Sequence, residues 1–251
     1  MRTVVLSAHL DDAVFSATTQ LLRPHAQLVT VFAGPPADTA GRSRWDGTTG
    51  AGSSAQRHRE RLAEDDRAAA GLGCAALRMS EPERQYRDKP VDLDLLAGRL
   101  RAVVEGAAEV WLPAGIGQHP DHVAARQAGL RAVLSASPAP AVLLYADLPY
   151  TIEYGWPSWM TGEPKPRFLD PDVWLEHELV RAGLSPEDLT AKIFELDPSV
   201  RRHKEDAVLC YSTQLPALHL TPADRRRWEA TLRYELAWET PPPRRGPAAA
   251  G

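Results

Sequence analysis

The sequence predicts an α/β fold: a mostly parallel sheet with helices on both faces, followed by a C-terminal region rich in loops and helices. Three observations predict it. Short apolar, β-branched runs alternate with stretches of helical spacing through the first 150 residues. The 251 residues, 43% hydrophobic and 25% charged, suffice for one sizeable core without disulfide staples. Histidines and aspartates cluster where two of the apolar runs stop, and the carboxyl ends of parallel strands are where such sheets bind ligands.

TVVLS at 3–7 has the composition of a buried strand, and 12–22 then shows apolar residues at helical spacing. QLVTVFA at 27–33 is a second strand. Residues 34–55, rich in Gly, Pro and Ser, make a loop longer than compact domains usually carry, a mark of a functional or mobile segment. A charged amphipathic helix is expected over 56–72, stopped by Gly71 and Gly73. A strand near 75–79, a helix at 92–105, the strand EVWLP at 109–113, a helix at 121–134 and the strand AVLLYAD at 141–147 complete the alternation. From Leu148 the chain turns to Trp- and Pro-rich loops, with helices expected near 186–194, 198–210 and 222–234. The organisation read from this is a catalytic core at 1–150, a region at 151–240 completing the same domain and its pocket, and a tail at 241–251 of disordered composition.

A net charge of −4 argues against nucleic acid or an anionic membrane as partner. Cys74 and Cys210 lie far apart, in neither CxxC nor zinc-finger spacing, as expected of core thiols in a reducing compartment. The first residues lack the basic and apolar regions of a signal peptide, and no apolar run approaches the ~18 residues of a membrane helix. A cytoplasmic location is the expectation.

The chemistry concentrates in VLSAHLDDAVFS, which carries His9, Asp11 and Asp12, and in GIGQHPDH, which carries His119, Asp121 and His122. Both follow predicted strands, so one topological rule brings three imidazoles and three carboxylates to a single sheet edge. Burying so many ionisable groups is costly without a cation, and N/O ligands with an open position suit catalytic Zn²⁺. Fe²⁺ and Co²⁺ fit the same donors. His9 and Asp12, three apart across a strand-to-helix turn, can face one point, with Asp11 projecting beside them. Pro120 starts a helix from which His122 can face the metal while His119 points across the cavity. Singly, each residue reads more simply as a core histidine or a helix cap; jointly, they read as a metal site. Trp45 and Asp46 read more simply as packing than as a sugar platform, and Lys204 and Tyr211 are candidates to close the site.

AHLDDA followed by HPDH resembles the PIG-L/LmbE-like deacetylases, whose signature is AHPDDE followed by HxDH. The likeness runs over about residues 3–215 and includes Arg61-Leu-Ala-Glu-Asp, Leu72-Gly73, Lys204 and Tyr211-Ser-Thr-Gln214. It implies a Rossmann-like fold and one Zn²⁺ per chain. The implied reaction hydrolyses an N-acyl, above all N-acetyl, amide on an amino sugar or glycoconjugate, with metal-bound water as nucleophile. The resemblance further implies His9, Asp12 and His122 as ligands and Asp11 as general base. It makes His119 a cationic histidine that stabilises the oxyanion or protonates the amine, with Asp121 holding its ring. Arg61 and Glu83 stand where sugar contacts are expected.

The departures bear on substrate. Leu10 replaces proline, Ala13 a glutamate, and Gly117 a tyrosine that polarises the substrate carbonyl in some relatives; the 34–55 loop or Tyr154 is then expected to supply that group. Ser16, counted with the substrate-side residues, stands where the mycothiol-conjugate amidase branch has lysine. The alternatives are an amidase or deacylase of a thiol conjugate or other natural product, a metal-dependent phosphoesterase, and an inactive, metal-stabilised sugar-binding protein. Homo-oligomerisation is left open.

Overall fold

The structure, a computed structural model, describes residues 1–37 and 41–241. In chain order it contains β1 (Thr3–Ser7), α1 (Asp12–Ser16), α2 (Thr18–Leu21), β2 (Ala26–Thr30), α3 (Arg44–Thr48), α4 (Ser54–Leu72) and β3 (Ala75–Arg78). There follow α5 (Leu93–Val104), β4 (Glu109–Pro113), α6 (Pro120–Leu134), β5 (Ala141–Tyr145), α7 (Ser158–Thr161) and α8 (Pro171–Arg181). The last elements are β6 (Thr190–Glu195), α9 (Pro198–Leu209), α10 (Leu215–Leu218), α11 (Arg225–Arg233) and β7 (Tyr234–Glu239).

The strands form one seven-stranded sheet in the order β3-β2-β1-β4-β5-β7-β6. Its first five strands are parallel, and β7 pairs antiparallel with both β5 and β6. The mostly parallel α/β sheet expected from the alternation is therefore what the chain forms. Every residue of β1 is buried, as a strand covered on both faces must be. The chain runs outward from β1 to β2 and β3, then returns to place β4 on its other side. The β1/β4 junction is thus a switch point of the kind that binds ligands in open α/β sheets.

Helix α6 packs on β4 and β1, while α4, packed on β3 and α9, carries Arg61 to 3.8 Å from Asp11. In α4, Ser53 caps the start by accepting from Gln56 N, and Gly73, at φ 67°, ends it in the left-handed conformation. The buried face of α4 carries Arg57, Arg61, Glu64, Asp65 and Ala68 at helical spacing. Small residues let α6 lie close on the sheet: a β-carbon at Gly129 would meet Leu112 Cδ2 at 2.6 Å.

Several expectations require correction. The helix expected over 12–22 divides at Ala17, whose φ of −145° leaves the helical region, giving α1 and α2. The helix expected near 186–194 is a single 3₁₀ turn at Pro186–Asp188 followed by edge strand β6. The helix expected over 222–234 ends at Arg233, and the chain passes directly into β7. Strand β7 was hidden by Glu235, a carboxylate inside an apolar run. It is buried because Lys204 Nζ donates to it at 2.9 Å and Thr19 N at 3.1 Å. Lys204 is therefore part of the core rather than of the site. The proposed tail at 241–251 lies, apart from Pro241, outside the described residues.

Candidate metal centre and active site

The turn after β1 is built by hydrogen bonds of its own residues. Ser7 Oγ donates to His9 O at 2.6 Å and accepts from Ala13 N at 2.9 Å. His9 N donates to Asp12 Oδ2 at 2.7 Å, which folds the two side chains towards one another. Asp11 holds the N-cap position of α1 but makes no capping hydrogen bond, so its carboxylate is left to face the cavity. At α6, His119 is the N-cap, accepting from Asp121 N at 3.2 Å, and Pro120 opens the first turn that carries His122.

One oxygen, Asp12 Oδ2, lies 3.3 Å from His9 Nδ1 and 3.2 Å from His122 Nε2. Bonds of about 2.1 Å in a tetrahedral site imply ligand–ligand edges of about 3.4 Å. The far nitrogen of each ring is held by a carboxylate: His9 Nε2 by Asp121 Oδ2 at 3.0 Å, and His122 Nδ1 by Asp147 Oδ1 at 2.6 Å. Such outer carboxylates fix the tautomer of metal-binding histidines and leave the inner nitrogen a lone pair. His122 Nε2 is buried with no hydrogen-bond partner, a cost that a metal bond would remove. The donor set therefore fits a metal ion. A ligand nitrogen from each of His9, His119 and His122 also lies within 4.8 Å of the others, so His119 borders the same point.

The resemblance implied that Asp121 holds the ring of His119. Its carboxylate instead takes His9 Nε2, Arg84 N at 2.8 Å and the Arg87 guanidinium, while only its backbone N–H reaches His119. Asp147 is a site residue that sequence reasoning missed. Its second oxygen accepts from Gly115 N at 2.7 Å and Ile116 N at 2.9 Å, which ties the turn before HPDH to the end of β5. The available signal was its place at the end of the apolar run AVLLYAD, beside the strand that leads into HPDH.

The electrostatics separate the two adjacent aspartates. Burial would raise Asp12, but His122 and His9 outweigh it and hold the carboxyl well below its usual range. Burial and the Asp12 charge raise Asp11 to about 7, against the pull of Arg61 and His9. Burial alone would lower both His9 and His122; Asp12 reverses this, holding His9 well above its ordinary value and His122 at about 10. The pocket thus concentrates negative field where a cation would sit. His119 behaves oppositely: burial and the positive His9 and His122 lower it to about 3. Its Nδ1 accepts the Asp121 N–H.

These groups open into a cavity of about 330 Å³. Arg61 and Glu83 line it, joined as an ion pair, and Arg61 Nη2 lies 3.8 Å from Asp11 Oδ1. Ser16 and Tyr154 do not line it. Ser16 is buried and accepts from Leu148 N at 3.0 Å, while Tyr154 is exposed and packs edge-on against Trp174. Tyr150 stands in the wall instead, edge-on to His122 with centroids 5.7 Å apart. Trp45 also lines the cavity rather than only packing in the fold, and its Nε1 donates to Gln214 Oε1 at 2.9 Å. The YSTQ segment is clasped to α4 by Tyr211 Oη–Asp65 and by Ser212 and Thr213 on Glu64, which explains why both stretches accompany the motifs. Tyr211 itself is buried in that clasp and does not close the site.

A parallel α/β sheet with a buried His/Asp cluster at its switch point has the architecture of an enzyme built around a metal. Comparison makes the class specific. The PIG-L family, described as GlcNAc-PI de-N-acetylase, matches residues 4–133, just over half of the chain. The chain belongs to this family and is a deacetylase. Among solved structures it is similar to a triple mutant of the deacetylase of the teicoplanin biosynthetic pathway, at 24% identity and TM-score 0.73, over 95% of this chain and 97% of that one. It is similar to the A40926 pseudoaglycone deacetylase Dbv21 at 24% and 0.70, over 95% and 96%. The 4-carboxy-2-hydroxymuconate hydratase GalB of Pseudomonas putida shares the fold at 18% and 0.54, over the full length of both chains. No curated protein matches the sequence. No helix among the described residues is long and apolar enough to cross a membrane.

Proposed function

We propose that the chain is a metal-dependent N-deacetylase of an N-acetylglucosamine-containing small molecule or glycoconjugate, with Zn²⁺ held by His9, Asp12 and His122. The observation that carries the reading is the buried, unpartnered Nε2 of His122, aimed with His9 Nδ1 at one oxygen of Asp12. The likeness to deacetylases of glycoconjugate pathways supports a sugar-bearing substrate. The metal, when bound, supplies a Lewis acid and lowers the pKa of water towards ~7.

The protein's own groups divide the remaining work. Asp11, which makes no helix-capping hydrogen bond, accepts the proton of the attacking water as the new C–O bond forms. Arg61 fixes the Asp11 carboxylate from the cavity wall. His119, with Nδ1 occupied by Asp121 N–H, presents Nε2–H to the oxygen that gains charge. Tyr150, which lines the same cavity, is the candidate second donor. When the C–N bond breaks, the proton held by Asp11 passes to the amine, and acetate leaves as the second product.

The test is amine release from N-acetylglucosamine glycosides by the zinc-loaded protein, with and without chelator. Release that stops on chelation and returns with Zn²⁺ is expected. No release from any N-acyl amino sugar by protein of verified metal content would overturn the reading.

A further inference from the structure

Beside the active-site cavity lies a groove of about 600 Å³, bounded by Ser43, Arg44, Trp45, Thr48 and Gln85. Trp45 and Gln85 line both this groove and the active-site cavity, so the two spaces share a wall. That wall is braced. Trp45 Nε1 is bonded to Gln214, which is itself buried and bonded to Thr213. Helix α3, which carries Trp45, is anchored by the buried Asp46, whose carboxylate accepts from Ser54 Oγ at 2.5 Å and from Tyr86 Oη at 3.0 Å. Ser43 Oγ donates to Gln85 Oε1 at 2.5 Å, and Gln85 Nε2 donates to Glu83 Oε2 at 2.6 Å. Glu83 in turn pairs with Arg61, beside Asp11. A polar chain therefore runs from Arg61, beside Asp11, through Glu83 and Gln85 to Ser43 at the groove.

An aromatic platform held by hydrogen bonds at its edge, with amide and hydroxyl groups around it, is suited to a ring with an apolar face and polar substituents. We infer that this groove is a second subsite, which takes the ring attached to the anomeric oxygen of the amino sugar. The inference rests on the proposed function for the identity of the first ring. The amino sugar occupies the cavity with its amide at the metal centre, and the attached ring passes the Trp45–Gln85 wall to stack on the indole. Arg44, exposed at the rim, contributes a charged donor to the substituents of that ring.

The experiment compares ligands that differ only in this ring. Calorimetry on the zinc-loaded protein measures binding of the deacetylated products methyl β-glucosaminide, phenyl β-glucosaminide and chitobiose. The ring-bearing ligands are expected to bind about five- to tenfold more tightly than the methyl glycoside, as one stacked ring contributes. The stronger of the two identifies the second ring as aromatic or sugar. Trp45→Ala and the groove-filling Thr48→Trp are expected to bring the ratio to about one, whereas Trp45→Phe, which keeps a ring, retains most of it. Equal affinities in the unaltered protein, an advantage that survives both variants, or no binding of any of the three overturns the subsite. Amine release from the matching N-acetyl glycosides is measured alongside. Failure of that release with the binding ratio intact would remove the proposed reaction and leave the subsite standing.

Discussion

Tyr150 lies directly over Gly117: a β-carbon on that glycine would sit 2.5 Å from Tyr150 Cγ and 2.6 Å from Cδ1. Gly117 also has φ +79°, a conformation that side chains resist. Where some relatives carry a tyrosine on the HPDH turn, this chain removes the side chain and brings in a phenol from the segment after β5. Gly117→Ala is expected to push the Tyr150 ring aside and to match the loss caused by Tyr150→Phe. Each should lower kcat by about tenfold or more, as loss of an oxyanion donor does. The double variant should be little worse than either single one, so a fully additive cycle in steady-state kinetics would separate the two residues.

Asp147 holds the His122 ring by Nδ1, the nitrogen opposite the one nearest Asp12. Asp147→Asn is expected to weaken Zn²⁺ binding by about 10- to 100-fold, the usual cost of losing an outer carboxylate. Competition with a chromophoric chelator reads this directly. Activity should recover as free Zn²⁺ is raised, and a loss that excess metal does not repair would assign Asp147 to the fold alone.

Two donor sets share the centre, His9 and His122 with either Asp12 or His119. Metal content after dialysis distinguishes them. His122→Ala and Asp12→Ala are expected to lose the ion, while His119→Ala keeps close to one per chain and loses turnover. Metal-free His119→Ala would move His119 into the ligand set.

Asp11→Asn is expected to retain Zn²⁺ and substrate affinity while reducing kcat by at least about 100-fold, within the range expected when a general base is removed. Substantial turnover by this variant would dismiss Asp11 as the base.

Lys204 and Glu235 form an ion pair sealed between α9 and β7. Lys204→Met leaves the carboxylate buried without its partner, at a cost of about 3–5 kcal/mol, which lowers Tm by roughly 10 °C. Lys204→Met combined with Glu235→Leu should recover most of that loss in a thermal melt. Activity of the folded fraction should stay unchanged throughout, since neither residue lines the cavity.

The legible part of the site was the part governed by topology. His9, Asp11 and Asp12 follow β1, HPDH follows β4, and adjacent parallel strands bring their carboxyl ends together whatever lies between them. Asp147 escaped notice because one carboxylate after an apolar run has no spacing to mark it. Tyr150 escaped, and Gln214 was read only as part of the likeness, because nothing local encodes their approach: one reaches a glycine 33 positions earlier, the other an indole 169 positions earlier. The role given to Asp121 failed for a related reason, since HPDH suggests a pairing with its neighbour His119 while the fold supplies His9 from 112 positions away. Strand β7 was obscured by Glu235, whose charge makes sense only once Lys204 lies beside it.

The clasp between α4 and the YSTQ segment bears on how much of the chain the site needs. The stretch that matches the family, residues 4–133, ends before Asp147, Tyr150 and Gln214 in the chain. A nascent or proteolytically shortened chain can hold every histidine and aspartate of the motifs and still lack the buttress of His122, the phenol and the far wall of the pocket. The cavity is thus closed by parts of the chain outside the motifs, with the YSTQ segment held on Glu64 and Asp65 to keep Gln214 in its wall.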